Sequence, residues 1–255
     1  MVLMQRHLGF RGEEKNPVDP LDAYKFERDL AILAQRACET RQLLPQQQSK
    51  SADGGRELST RLEDVRQALL ELYKRNLVKI NHSAMELLCA KKLMELDCSR
   101  VLVEHSLKEN LVCDTFGEKE GDGGTERLIV EIETGFVPPE YALEPATYNE
   151  ARVASKIARY STFASSFILG APPTYVLNLP KIFLVKPAMR TLEDALVLKG
   201  LCDRYYKNPP VSLEEVMSAK LDSVFIIDVD RALVNEVPAR QYAEEARRMT
   251  NALLS

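Results

Sequence analysis

Between Ser83 and Ala171 the spacing of apolar residues switches from helical to strand-like and back, and that switch limits the folds open to the chain. Met85, Leu88, Cys89 and Leu96 recur at helical intervals, with Ser83 and Glu86 at the spacing of a capping box. Three short β-rich runs follow: Val101-Leu102-Val103, Leu111-Val112-Cys113 and Leu128-Ile129-Val130-Glu131-Ile132-Glu133. Between the second and third, Gly121-Asp122-Gly123-Gly124 reads as a hairpin-like connection, because glycine supplies the positive φ that tight turns require. Helical spacing returns at Val153, Ile157, Tyr160 and Ala164, opened by Thr147 and Glu150 as a further capping box, and Phe167-Ile168-Leu169 is the strand after it. The order helix, three strands, helix, strand predicts an α/β fold with a mixed sheet.

The flanks read as helical additions. Tyr24, Leu30, Leu33, Ala34 and Ala37 predict a helix over Asp19 to Leu44, stopped by Pro45. The polar, aperiodic stretch beyond it predicts a linker, so the expected organisation is an N-terminal helical arm over 1–45, a linker over 46–57 and an α/β domain over 58–255 with its core at 83–171. A second helix is expected from Ser59 to about Asn76, with Leu62, Val65, Leu69, Leu70 and Tyr73 on one face and Glu63 in a capping box. Beyond the core come helices near Leu192 to Tyr206 and from Ser212, the strand Val224 to Ile227, and a closing amphipathic helix from about Pro238 to Leu254.

The third strand carries the chemistry. In Val130-Glu131-Ile132-Glu133 the period of two puts both carboxylates on one face. Taken alone, such a pair most often marks a solvated face. With Asp114 near the end of the neighbouring run, three carboxylates become candidates for holding Mg²⁺ or Mn²⁺, hard cations that keep waters able to attack a phosphodiester. The composition leaves few other options: three histidines lie far apart, and five scattered cysteines show no C-x-x-C spacing, so neither a zinc site nor a Ser/His/Asp triad is expected.

This arrangement resembles the PD-(D/E)xK superfamily of restriction-endonuclease-like nucleases, whose αβββαβ core carries an Asp on the second strand and a D/E-x-K on the third. The resemblance implies a metal-dependent deoxyribonuclease in which Asp114 and Glu131 bind the metal. Glu133 stands where the family usually has lysine, a departure shared by E-x-E members, and would assist the metal or its water. Lys156 and Tyr160 are similar to the Q-x-x-x-Y helix motif of RecB-like members, with Lys in place of Gln. Lys156, one helical turn before Tyr160, would supply the charge missing from the third strand. Arg152 and Arg159 continue a basic stripe on that helix and, with Tyr160, are candidates for contacting DNA. Glu86 stands where some members carry an additional acid, although its capping-box spacing offers the simpler explanation. The alternative is a nuclease-like fold that binds nucleic acid or serves assembly without turnover.

A formal net charge of −4 removes any general attraction to nucleic acid, so DNA binding would have to be local. No apolar run reaches the roughly 18 residues of a membrane span, and no apolar segment follows the first basic residues, which together predict a cytoplasmic protein without membrane contact. A homodimer is expected by analogy only. Ile227-Asp228-Val229-Asp230 resembles the nucleophile strand of haloacid dehalogenase-like phosphatases, but too little chain follows it for that fold, so both acids read as the polar exit of a buried strand.

Overall fold

A computed structural model describes residues 18–42 and 52–254. The described chain is α/β and divides into two compact units, Met1–Thr125 with Ile227–Val234 and Glu126–Ile226 with Asn235–Ser255. The division falls within the third strand and around the fifth and sixth, not at the expected linker.

In the first unit, helices α1 (Pro20–Gln42), α2 (Ala52–Lys74) and α3 (Ile80–Glu95) precede strands β1 (Arg100–Lys108) and β2 (Leu111–Gly121). α1 packs on α2 and α3. Its buried stripe is Phe26, Leu30, Leu33 and Ala37. Phe26 stands four residues before Leu30 and so shares its face, whereas the expected Tyr24 projects into solvent at 63% exposure. The buried stripe of α1 is therefore covered within its own unit. Of the expected linker, 46–51 lies outside the described residues and 52–57 is helical. α2 thus runs through Gly54 and Gly55, a local cost of about 1 kcal/mol per glycine relative to alanine, against which stands the burial of Leu58, Leu62, Val65, Leu69 and Leu70 further along the same helix. Starting at Ala52 makes Ser59 an interior residue, and Glu63 pairs with Arg66 at 2.6 Å in place of closing a capping box. That bond to the guanidinium holds the Glu63 carboxyl below the usual carboxylate range.

α3 begins at Ile80, its N-cap Lys79 making no side-chain cap bond. Ser83 and Glu86 therefore sit inside the helix and are fully buried, which removes the capping-box explanation for Glu86. β1 and β2 pair antiparallel, with Val103 opposite Thr115 and His105 opposite Cys113. Between those pairs Glu104 adopts φ 48°, a left-handed conformation rare for a non-glycine strand residue. α3 packs against both strands. Gly117 lies so close to the end of α3 and the turn beyond it that a Cβ there would stand 2.8 Å from Cys98 Sγ and 3.2 Å from Leu93.

In the second unit, β3 (Gly124–Ile132), β4 (Ser166–Ala171) and β5 (Ser223–Asp228) run parallel, with Glu131 beside Leu169 and Leu169 beside Val224. Parallel strands need covered faces and long crossovers. Helix α4 (Pro145–Tyr160) supplies the first crossover, and α5 (Leu192–Tyr205) with α6 (Leu213–Ser218) lies in the second. α4 opens with Pro145 in its first turn, where a missing N–H costs nothing, so the Thr147–Glu150 box is not its start. Its expected stripe, Val153, Ile157 and Tyr160, is buried, as is Ala164 beyond it. Ser212 and Glu215 do form a capping box at α6. A strand not expected from the sequence, β6 (Leu233–Pro238), precedes the closing helix α7 (Ala239–Leu254). Antiparallel pairing in one unit and parallel pairing in the other, with helices in both, give an α/β protein of mixed strand sense. The element order from α3 to β4 is the expected αβββαβ.

Candidate metal centre and acidic strand

α3 and β2 bring three ligating groups together in the first unit. His82 and Glu86 are four residues apart on α3 and so project from one face, and Asp114 reaches them from the middle of β2. His82 Nε2 lies 2.9 Å from Asp114 Oδ1 and 3.4 Å from Glu86 Oε1. One ligand atom from each residue falls within 4.8 Å of the other two. The Glu86 and Asp114 side chains are 0% and 2% exposed and that of His82 is 27% exposed, so the group opens toward solvent at the imidazole.

Two carboxylates set side by side in a buried position repel each other, and a cation between them reverses that penalty. Cys89, one turn beyond Glu86, is buried, and burial together with the charges of Asp114 and Glu86 pushes its thiol well above the ordinary range. It stays protonated and offers no thiolate. The donors are one imidazole nitrogen and carboxylate oxygens, a set that fits a hard or borderline divalent cation better than a thiophilic one.

The second unit builds the acidic strand. Glu131 and Glu133 are 0% and 1% exposed, which excludes the solvated-face reading. Glu133 continues the β3–β4 ladder, its N–H donating to the Gly170 carbonyl at 2.7 Å. Lys156 crosses from α4 and sets Nζ 3.2 Å from Glu131 Oε2 and 2.7 Å from Glu133 Oε1. It also donates to the Ile132 carbonyl at 2.9 Å. Arg152, one turn earlier on α4, pairs with Glu133 Oε2 at 3.0 Å and donates to the Phe136 carbonyl at 3.0 Å. Burial works against the charge of Arg152, but Glu133, with the phenols of Tyr206 and Tyr148, outweighs it and leaves the guanidinium above its usual value. Two buried carboxylates are thus matched by two cations from successive turns of one helix.

The chain beyond Glu133 is held by its backbone. Gly135 takes φ 75°, and a Cβ there would come within 2.5 Å of the Tyr175 ring, so both conformation and space demand glycine. Burial, and then the charge of Glu133, pushes the Tyr175 phenol up to about 12.

Among the residues expected to form a site, Glu131, Glu133, Lys156 and Arg152 are brought together, and Asp114 joins His82 and Glu86. Arg159 lies apart from the acidic strand: it donates to the Pro209 carbonyl and stacks over the Tyr206 ring. Tyr160 is buried. Asp228 ends β5 and accepts from the Arg231 N–H at 3.0 Å, and Asp230 lies in the turn after it, where its carbonyl accepts from Arg36. Sequence reasoning missed His82 as a partner of Asp114. The His-x-x-x-Glu spacing that identifies it becomes visible only once the helix is known to start at Ile80, before the histidine. No protein-family model, curated protein or solved structure matches the chain.

Proposed function

We propose that the chain is a metal-dependent nuclease of PD-(D/E)xK type acting on DNA. The observation that carries this reading is the buried His82–Glu86–Asp114 donor set on α3 and β2. Support comes from an E-x-E strand whose two acids share the amine of Lys156. In this reading Asp114 would hold the ion together with His82 and Glu86, and Glu131 is the second acid that the family resemblance implies. A nitrogen donor beside carboxylates favours Mn²⁺ over Mg²⁺, because Mg²⁺ prefers an all-oxygen octahedron. A bound ion supplies Lewis acidity and an activated water.

The protein side chains supply the rest. Glu133 would serve as proton acceptor for an attacking water, and Lys156 would offset charge developing on the phosphate. Arg152 fixes Glu133 through its ion pair. Arg152 and Arg159 reach a phosphate only by exchanging the carbonyl bonds they now make, so their part in binding DNA, like that of buried Tyr160, is secondary to that of Lys156.

The test is cleavage of single-stranded, duplex and branched DNA in Mn²⁺ and in Mg²⁺. Wild type should cut at least one substrate, faster in Mn²⁺, and Asp114→Asn should lower the rate by about two orders of magnitude or more, the scale of a lost transition-state contact. Equal behaviour of the two proteins on every substrate would refute the catalytic reading.

A second reading is favoured by the charge balance of the acidic strand: Lys156 and Arg152 neutralise Glu131 and Glu133 without any ion. A nuclease-like fold retained for nucleic-acid binding or assembly would keep that network for stability alone. Metal binding that is indifferent to Glu131→Gln, with no cleavage, is the outcome that selects it.

A further inference from the structure

We propose that Glu104 belongs to the His82–Glu86–Asp114 group, its carboxylate accepting a hydrogen bond from a water on the cation that those three side chains bind. This rests on the cation reading of that group, and it adds a residue that neither the sequence motif nor the donor distances identify.

The first observation is a backbone conformation with no local cause. Glu104 has φ 48°, in a region that non-glycine residues enter rarely, Asn and Asp most often among them. Asn76, Asp97, Asn110 and Ala232, the other non-glycine residues with positive φ among those described, all lie in turns. Glu104 lies in the middle of β1. A bulge would account for it, but the pairing with β2 keeps one register from Arg100 opposite Glu118 to Ser106 opposite Val112, and the irregularity comes later, between Ser106 and Lys108. Strained conformations of this kind persist where the surrounding structure holds them, and they gather at functional sites.

The side chain supplies the second observation. β1 is partly open to solvent along its length, yet Glu104 Oε2 has no contact with solvent. Turning a carboxylate oxygen away from water is unfavourable unless its charge is matched. The pairs Val103–Thr115 and His105–Cys113 lie on either side, so Glu104 stands opposite Asp114. Opposed residues of an antiparallel pair are about 5 Å apart. The strained backbone and the sheltered carboxylate therefore fall beside a second buried acid, whose negative charge repels the first. A divalent cation at Asp114 reverses the sign of that interaction.

Reach determines how Glu104 takes part. Among the described residues, the ligand atoms that lie within 4.8 Å of one another are those of His82, Glu86 and Asp114. Glu104 is outside that group and serves the ion from its outer sphere. Three protein donors leave Mn²⁺ or Mg²⁺ with positions for water. An outer carboxylate that accepts a hydrogen bond from one such water fixes its orientation and tightens the hold on the ion. Glu104 is in this sense a positioning residue.

Mn²⁺ binding to the full chain, followed by electron paramagnetic resonance, tests the proposal together with thermal melting in the absence of the ion. Glu104→Gln and Glu104→Gly should each weaken Mn²⁺ binding by about tenfold. Glu104→Gly should nevertheless melt about 2–4 °C above wild type, because glycine relieves the left-handed backbone. A purely structural role would lower melting along with affinity, and that result in both variants would overturn the proposal. Mn²⁺ affinities equal to wild type in both variants would overturn it too. If Asp114→Asn loses binding in that case, the cation site stands and Glu104 alone is excluded, whereas a wild type that takes up no Mn²⁺ removes the cation reading and this inference together.

Discussion

Glu133 and Lys156 show how far a residue's meaning depends on burial. On the sequence, an alternating Glu-x-Glu is indistinguishable from a solvated strand face, and only the period of two was legible. What was not legible is that both acids would be buried and that Arg152 and Lys156, written as a basic stripe, would turn inward to meet them. A buried ion pair contributes little net stability relative to an apolar replacement, but removing one member strands the other. Lys156→Met should therefore destabilise the protein by about 3 kcal/mol, and Glu133→Gln by less because Lys156 keeps Glu131. The double variant should recover part of the loss, giving a coupling energy of about 1–3 kcal/mol in denaturant titrations. Additive losses would mean that the two side chains do not share the network described. His82 illustrates the opposite case: its partner was one helical turn away in the sequence, and a helix start placed three residues late concealed it.

At the level of elements, type and order were largely readable, and boundaries were not. The β-rich runs and the helices between them fall where the periodicity placed them, because long segments with one dominant period leave few alternatives. Errors came from caps. Ser59, Ser83 and Thr147 each carry the residue spacing of an N-terminus, yet α2, α3 and α4 all begin earlier, at Ala52, Ile80 and Pro145, because burial of a helical face outweighs the preference of one capping residue. β6 was invisible for a related reason: only part of it is shielded, so it lacks a strong apolar signature. The proline-rich passage before α5 is held by a device no pattern reveals. Arg190 is 8% exposed and donates from Nε to the Ile182 carbonyl at 2.9 Å and from one terminal nitrogen to those of Val216 and Met217 at 2.8 and 2.9 Å. Burial without a carboxylate lowers its pKa, so the guanidinium is kept by its carbonyl partners and by the Phe183 ring. Arg190→Ala should cost about 3 kcal/mol by leaving several buried carbonyls unmatched. Arg190→Lys should restore only part of that, since an ammonium does not reproduce the planar fork. Equal melting temperatures for the three proteins would show that this anchor contributes nothing.

For the whole molecule, the sequence settled an α/β class and the strand that carries acids, but not the division into two units, because a unit boundary inside a strand leaves no linker composition to detect. Among the described residues no helix is long and apolar enough to cross a membrane. The donors of α3 and β2 should take up a cation, and manganese binding measured by electron paramagnetic resonance tests that without reference to any substrate. Wild type should bind Mn²⁺ at one site per chain, and Asp114→Asn and His82→Gln should each weaken that binding by about tenfold or more. A chain that takes up no Mn²⁺, or one whose affinity is the same in wild type and Asp114→Asn, would contradict it.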